Sequence, residues 1–151
     1  MNLIELRQEN SEKLLLDAKE ILESQYSYLE DSKERIDALS FLKTAVSEHN
    51  PARIFLFQKS NGESVGLALV NLAWGYETGG SYLWVNELII HKKHRKKGYG
   101  KLFSAGILEW CKKNKIKALY AVTSSINDAS QRMMLQSGLN LRSTTWCEKI
   151  F

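Results

Sequence analysis

Ser81-Tyr82-Leu83-Trp84-Val85-Asn86-Glu87-Leu88-Ile89-Ile90 runs directly into His91-Lys92-Lys93-His94-Arg95-Lys96-Lys97-Gly98-Tyr99-Gly100. The fold turns on that junction. The first ten residues read as a strand, rich in β-branched and aromatic side chains and preceded by the turn Glu77-Thr78-Gly79-Gly80. Beyond the loop, Leu102, Phe103, Ile107, Leu108, Trp110 and Cys111 trace one helical face to about Asn114. Gly98 and Gly100 permit backbone angles and a close approach that side chains would block. A helix starting there leaves its first N–H groups without internal partners and presents the positive end of its dipole. Six Lys/Arg between positions 92 and 101 add to that field, so the junction suits a phosphate. It is not a Walker loop, because no GxxxxGK[ST] occurs, and the third glycine of a dinucleotide fingerprint is missing.

Upstream, Met1 to Arg7 suits a first strand. Asn10 or Ser11 can cap a helix running to about Leu29, with Leu14, Leu15, Ala18, Ile21 and Leu22 as its apolar stripe. Ser32 can cap a second, carrying Ile36, Leu39, Leu42 and Ala45, and Asn50-Pro51 ends it. Arg53–Lys59 and Val65–Tyr76 read as strands joined by the hairpin signal Asn61-Gly62. The run Val65–Val70 is apolar on both faces, as in a central strand covered on both sides. Downstream, Lys117–Thr123 is a strand, Asn127 or Asp128 caps a short helix ending at Gly138, and Leu139–Phe151 shows strand-like alternation. The order predicts one α/β layered domain over 1–151, with antiparallel hairpins first.

Composition narrows the classes. The chain has 151 residues, with 44% hydrophobic and 25% charged, the balance of a globular domain rather than a disordered one. No apolar run reaches the ~20 residues that span a bilayer. The opening residues carry no basic leader followed by an apolar stretch, so a cytoplasmic protein is expected. Cys111 and Cys147 form no ligand spacing and read as structural thiols. His91 and His94 lie among lysines with no neighbouring carboxylate or thiolate, so no metal is expected there. Residues 1–50 carry net −5 and residues 51–151 net +9, with ten basic residues between Lys92 and Lys117. Such a field draws an anion: a phosphorylated small molecule, nucleic acid or an acidic surface.

Arg95-Lys96-Lys97-Gly98-Tyr99-Gly100 resembles the signature Arg/Gln-x-x-Gly-x-Gly/Ala of the GNAT superfamily of acyl-coenzyme A N-acyltransferases. The resemblance extends back over Asn86–Ile90 and forward to Asn127 and the Gly138-Leu139 pair, covering about residues 52–140. It implies a mixed, mostly antiparallel sheet flanked by helices, in which parallel strands 4 and 5 splay apart. It also implies acetyl-CoA as co-substrate, with no metal, and direct attack by an amine in a ternary complex. Main-chain groups of Leu88, Ile89 and Ile90 would hold the pantetheine arm and polarise the thioester carbonyl. N–H groups from Arg95 through Lys96, Lys97, Gly98, Tyr99 and Gly100 to Lys101 would hold the pyrophosphate, and Asn127 would contact the pantetheine.

An alkylamine has a pKa near ~10.4 and arrives protonated, so a base must act. Glu87 matches the position where relatives often place that carboxylate. Relatives often carry a tyrosine four residues before the Gly-Phe pair to protonate the thiolate; here Met134 stands, which has no proton to give, and Tyr120 or water would have to serve. Met134 keeps open a catalytically degenerate acyl-CoA sensor. A basic nucleic-acid-binding domain finds no interleaved stacking aromatics beyond Tyr99. The expected partner is a small-molecule or peptide amine, not nucleic acid or membrane, and a homodimer stays open. The acidic first fifty residues suit a polyamine or aminoglycoside, or are simply a solvated face. Trp74, Tyr76, Tyr82 and Trp84 flank the Glu77–Gly80 turn and could line an acceptor pocket, though alternation favours some of them as cross-strand core pairs.

Overall fold

The computed structural model describes residues 1–9, 12–26, 37–143, 145 and 147–149. Its elements are β1 (Asn2–Leu6), α1 (Glu12–Tyr26), α2 (Ala38–Ala45), β2 (Ala52–Gln58), β3 (Ser64–Gly75), β4 (Gly80–Ile90), α3 (Tyr99–Lys113), β5 (Ala118–Ala121) and α4 (Asp128–Gln136), with a 3-10 turn at Lys92–His94. The five strands lie in sequence order in one sheet, the first four antiparallel and β4–β5 parallel. The α/β layering expected from the element order is therefore present. The proposed caps Asn10, Ser11 and Ser32, the end of the first helix near Leu29, and Ile36 lie outside the described residues. Within them, α2 starts at Ala38, where Asp37 accepts the Leu39 N–H at 3.0 Å.

Two apolar layers sandwich the sheet. Alternation sends Ile54, Leu56, Leu67, Leu69 and Ile89 to the α1–α2 side, where they pack on Leu15, Ala18, Ile21, Leu22 and Leu42. Phe55, Phe57, Ala68, Val70, Leu83 and Val85 face α3, meeting Phe103, Ile107 and Cys111. Phe57 stacks on Phe103 with ring centroids 4.9 Å apart. Gly66 makes room for this contact: a Cβ there would lie 2.8 Å from Ile90 Cδ1 and 3.1 Å from Phe103 Cδ1. Burial raises the Cys111 thiol to about 11, so it behaves as a small apolar side chain.

One irregularity in β4 decides where side chains go. Val85 pairs with Val70 and Glu87 with Leu69, leaving Asn86 as an extra residue, a β-bulge. Leu83 and Val85 face α3, whereas Ile89, also odd-numbered, faces α1 and α2. A regular strand keeps residues two apart on one face, so the bulge is what switches Glu87 and Ile89 to the opposite side. The parallel pairing with β5 covers only Tyr82–Val85. From Asn86 to Ile90, β4 has no neighbour on that edge among the described residues. The splay implied by the family resemblance is thus located.

Three expectations are corrected. Trp74 and Tyr76 are not core: they are 74% and 96% exposed, because β3 and β4 run past the helices toward their turn. Tyr82 and Trp84 are half-buried, and they meet Tyr120 of β5, at centroid distances of 5.4 and 6.4 Å, rather than the β3 aromatics. The stretch after Gly138 forms no strand among its described residues, and Leu141 is exposed there; alternation without a paired edge or a buried face does not make a ladder.

Candidate active site

Past Ile90 the chain turns sharply. Lys96 and Gly98 adopt left-handed conformations, at φ 59° and 77°. Gly98 is the N-cap of α3 and offers no side chain to cap it, and the first helical bond is Leu102 N–H to the Gly98 carbonyl. The N–H groups of Lys96 through Lys101 have no backbone acceptor among the described residues. Turns of this kind gather N–H groups into an anion-binding concavity. A Cβ on Gly98 would meet nothing within 4 Å, so the space before it is open. These features fit a diphosphate, the group that the resemblance implies.

Arg95 does different work from the rest of its motif. Its N–H donates to the Lys92 carbonyl at 3.4 Å. Its side chain turns inward: Nε donates to the Ile90 carbonyl at 2.9 Å and an Nη to Gln25 Oε1 of α1 at 3.1 Å. Arg95 therefore ties the loop to the end of β4 and to α1, and it engages the Ile90 carbonyl. Asn127 caps α4, its Oδ1 accepting the Ser130 N–H at 3.1 Å, and its amide N–H groups have no partner among the described residues.

Two buried histidines sit beneath the loop, and partners from distant sequence reach them. His91 Nδ1 accepts the Lys93 N–H at 3.3 Å, and its Nε2 lies 3.5 Å from Glu20 of α1. His94, 5% exposed, has Nε2 3.0 Å from Glu63 Oε1 but without hydrogen-bond alignment. Burial holds both imidazoles below the ordinary histidine range, more strongly than the facing carboxylates raise them. The carboxylates missing from the local sequence are thus supplied by the fold, yet no group of three potential metal ligands forms among the described residues.

On the α1–α2 side of the sheet lies a cavity of about 490 Å³ between α1, α2, β3 and β4. Leu22, Phe41, Leu69 and Ile89 give it apolar walls, and Asn86 and Glu87 open onto it from the free half of β4. Glu87 has no ionic or hydrogen-bond partner among the described residues. It is solvent-accessible within a concave, largely apolar surrounding, and this partial desolvation raises its carboxyl above the usual range. Thus the bulge brings Glu87 to the cavity, while the anion-binding loop begins just past the end of the same strand. Tyr120 shares this face of the sheet, since Leu119 and Ala121 pack toward α3. Met134 is half-buried on α4. The bulge has no signature in sequence; only the pairing of β4 with β3 reveals it.

The sequence profile described as Acetyltransferase (GNAT) family matches residues 15–139, and the chain belongs to that family. It is an acetyltransferase, and its family uses acetyl-CoA as co-substrate. Solved structures share the fold at low identity. An aminoglycoside acetyltransferase from an uncultured soil metagenomic sample, in complex with sisomicin, superposes with TM-score 0.79 at 10% identity, covering 99% of this chain and 96% of that one. A possible acetyltransferase from Clostridium difficile 630 gives 0.78 at 13% identity, covering 99% and 97%. A ribosomal-protein-alanine N-acetyltransferase from Brucella melitensis biovar Abortus 2308 gives 0.74 at 12%, covering 99% and 100%. No curated protein matches the sequence. Among the described residues, no helix is long and apolar enough to cross a membrane.

Proposed function

We propose that this acetyltransferase acetylates a primary amine, of a small molecule or a peptide, by direct attack in a ternary complex. Acetyl-CoA, when bound, supplies the activated acetyl group. N–H groups from Lys96 to Lys101 hold its diphosphate, with the surrounding lysines drawing the anion in. The His91 N–H donates to Val65 of β3, so by alternation the Ile89 main-chain groups also face β3. Those of Leu88 and the Ile90 N–H, on the other edge of β4, hold the pantetheine arm, with the Asn127 amide beside it. Main-chain N–H donors there also stabilise charge developing on the carbonyl oxygen. Arg95 positions these groups rather than binding phosphate through its own N–H.

The observation that carries the reading is the unpartnered Glu87, bulged into an apolar-walled cavity next to the loop. A carboxylate with a raised pKa and no cation to hold it can take a proton from an ammonium, directly or through water. Tyr120, on the same face, or water returns a proton to the departing thiolate, in place of the tyrosine that Met134 replaces. The test is free-thiol release from acetyl-CoA across a panel of amines. Glu87→Gln is expected to lower kcat by about 10²–10⁴-fold while leaving acetyl-CoA affinity unchanged. A wild-type rate for the variant at neutral pH removes Glu87 as the base. Binding of acetyl-CoA without thiol release from any amine would point to a sensor instead.

A further inference from the structure

Asn71 lies on the wall of the cavity that holds Glu87. In β3, Leu67 and Leu69 face α1 and α2 while Ala68 and Val70 face α3, so alternation turns Asn71 to the Glu87 side of the sheet. Its strand partners are Ala52 of β2 and Trp84 of β4, and it stands two residues beyond Leu69, the partner of Glu87. Asn71 and Glu87 are therefore diagonal neighbours on one face, positions that lie roughly 7–8 Å apart. One small molecule can touch both.

Two other carboxamides of the lining are already engaged. Asn50 links the Thr44 carbonyl to the Ala52 N–H, and Gln25 accepts from Arg95. The Asn71 carboxamide is half-buried and has no hydrogen-bond partner among the described residues. Unpaired beside Leu69 and the other apolar walls, it contributes less to the fold than a leucine would. To a molecule entering the cavity, however, it offers two N–H donors and a carbonyl acceptor. Because Asn71 and Glu87 stand side by side, the group that meets Asn71 lies close to the amine that meets Glu87. The apolar walls then take the remainder of the molecule, and about 490 Å³ lies within the ~300–1,000 Å³ of small-molecule sites.

We infer that Asn71 is a specificity-determining residue: it hydrogen-bonds a carboxamide on the carbon that bears the acceptor's amine, and so holds that nitrogen against Glu87. The inference rests on the amine-acetylation reading above and narrows it. The test measures kcat/KM for phenylalaninamide and for phenethylamine, the same molecule without its carboxamide. The full chain is used at saturating acetyl-CoA, with free thiol as readout. Wild type and Asn71→Leu are compared by the ratio of the two acceptors, so that the difference in basicity between the amines cancels. Asn71→Leu is expected to lower that ratio by about tenfold, through a higher KM for phenylalaninamide. A ratio unmoved by the substitution, including an equal loss with both acceptors, overturns the inference and leaves Asn71 a structural residue. Thiol release by wild type with neither acceptor overturns amine acetylation itself and the inference with it, so the two failures read differently.

Discussion

The two halves of β4 behave as different objects. From Tyr82 to Val85 the strand is paired on both edges, by β3 and by β5, and its odd residues are buried toward α3. From Asn86 to Ile90 it keeps only β3 among the described residues, and its odd residues face α1 and α2. The first half is ordinary interior; the second has, among the described residues, a free backbone edge and an unpaired carboxylate, and it runs into the left-handed turn that precedes α3. The difference teaches that one extra residue, Asn86, can exchange the faces of a strand midway along its length.

The comparison is broken most completely by Ile89→Asp. Ile89 is 2% exposed on the α1–α2 side of the second half, so the substitution buries an unpaired carboxylate and removes an isoleucine from that layer. The cost should be on the order of 3–5 kcal/mol. Urea unfolding is expected to show a large fall in midpoint, and activity should fall with it. A variant as stable as wild type would mean that Ile89 does not face α1 and α2.

The next largest effect tests the loop at the end of the free half. In Gly98→Val a β-branched side chain must adopt φ 77° and fills the open space before the loop's N–H groups. Losing two or three charge-assisted hydrogen bonds should weaken acetyl-CoA binding by about 10²-fold or more. The rise in Tm on adding acetyl-CoA should disappear, while the far-UV circular dichroism stays native. An undiminished Tm rise would remove the loop from cofactor binding.

A finer test uses pH. Desolvation raises the Glu87 carboxyl, so the acid limb of kcat/KM should lie above the ordinary carboxylate range and be lost in Glu87→Gln. The variant's deficit should shrink at high pH, where more amine arrives unprotonated. A pH-independent deficit would argue that Glu87 positions the acceptor rather than taking its proton.

The smallest effect concerns how the free half is tethered. His91 and His94 are held neutral by burial, with Glu20 and Glu63 opposing and Lys59, Lys92, Lys93 and Lys97 assisting. Their folded pKa values lie below the unfolded value near ~6.5, so the unfolded chain binds protons first and stability falls as pH drops through that region. The slope is bounded at about 1.4 kcal/mol per pH unit for each histidine. His94→Gln should flatten the acid side of a Tm–pH curve, and an unchanged curve would show that His94 is not the titrating group.

Much of the fold was legible because its signals are local. Asn61-Gly62 sets a hairpin, with Gly62 at φ 84°, and the doubly apolar Val65–Val70 announces a central strand. Gly98 and Gly138 mark helix ends by the left-handed angles they supply. Trp74 and Tyr76 misled because aromatic strand residues read as core, whereas exposure depends on how far the covering helices reach. Arg95 was legible as a motif residue but not as a tether, since Gln25 lies seventy positions away.

Sequence by itself determined the order of strands and helices up to Gly138, the glycine turn that opens α3 and the choice of Glu87 as the candidate base. Short-range backbone preferences and a compact motif suffice for these. Only the tertiary structure decided which face Glu87 occupies and which distant carboxylates meet His91 and His94. Those depend on the register between strands: Leu83, Val85, Glu87 and Ile89 alternate as if on one face, and only pairing against β3 exposes the extra residue among them.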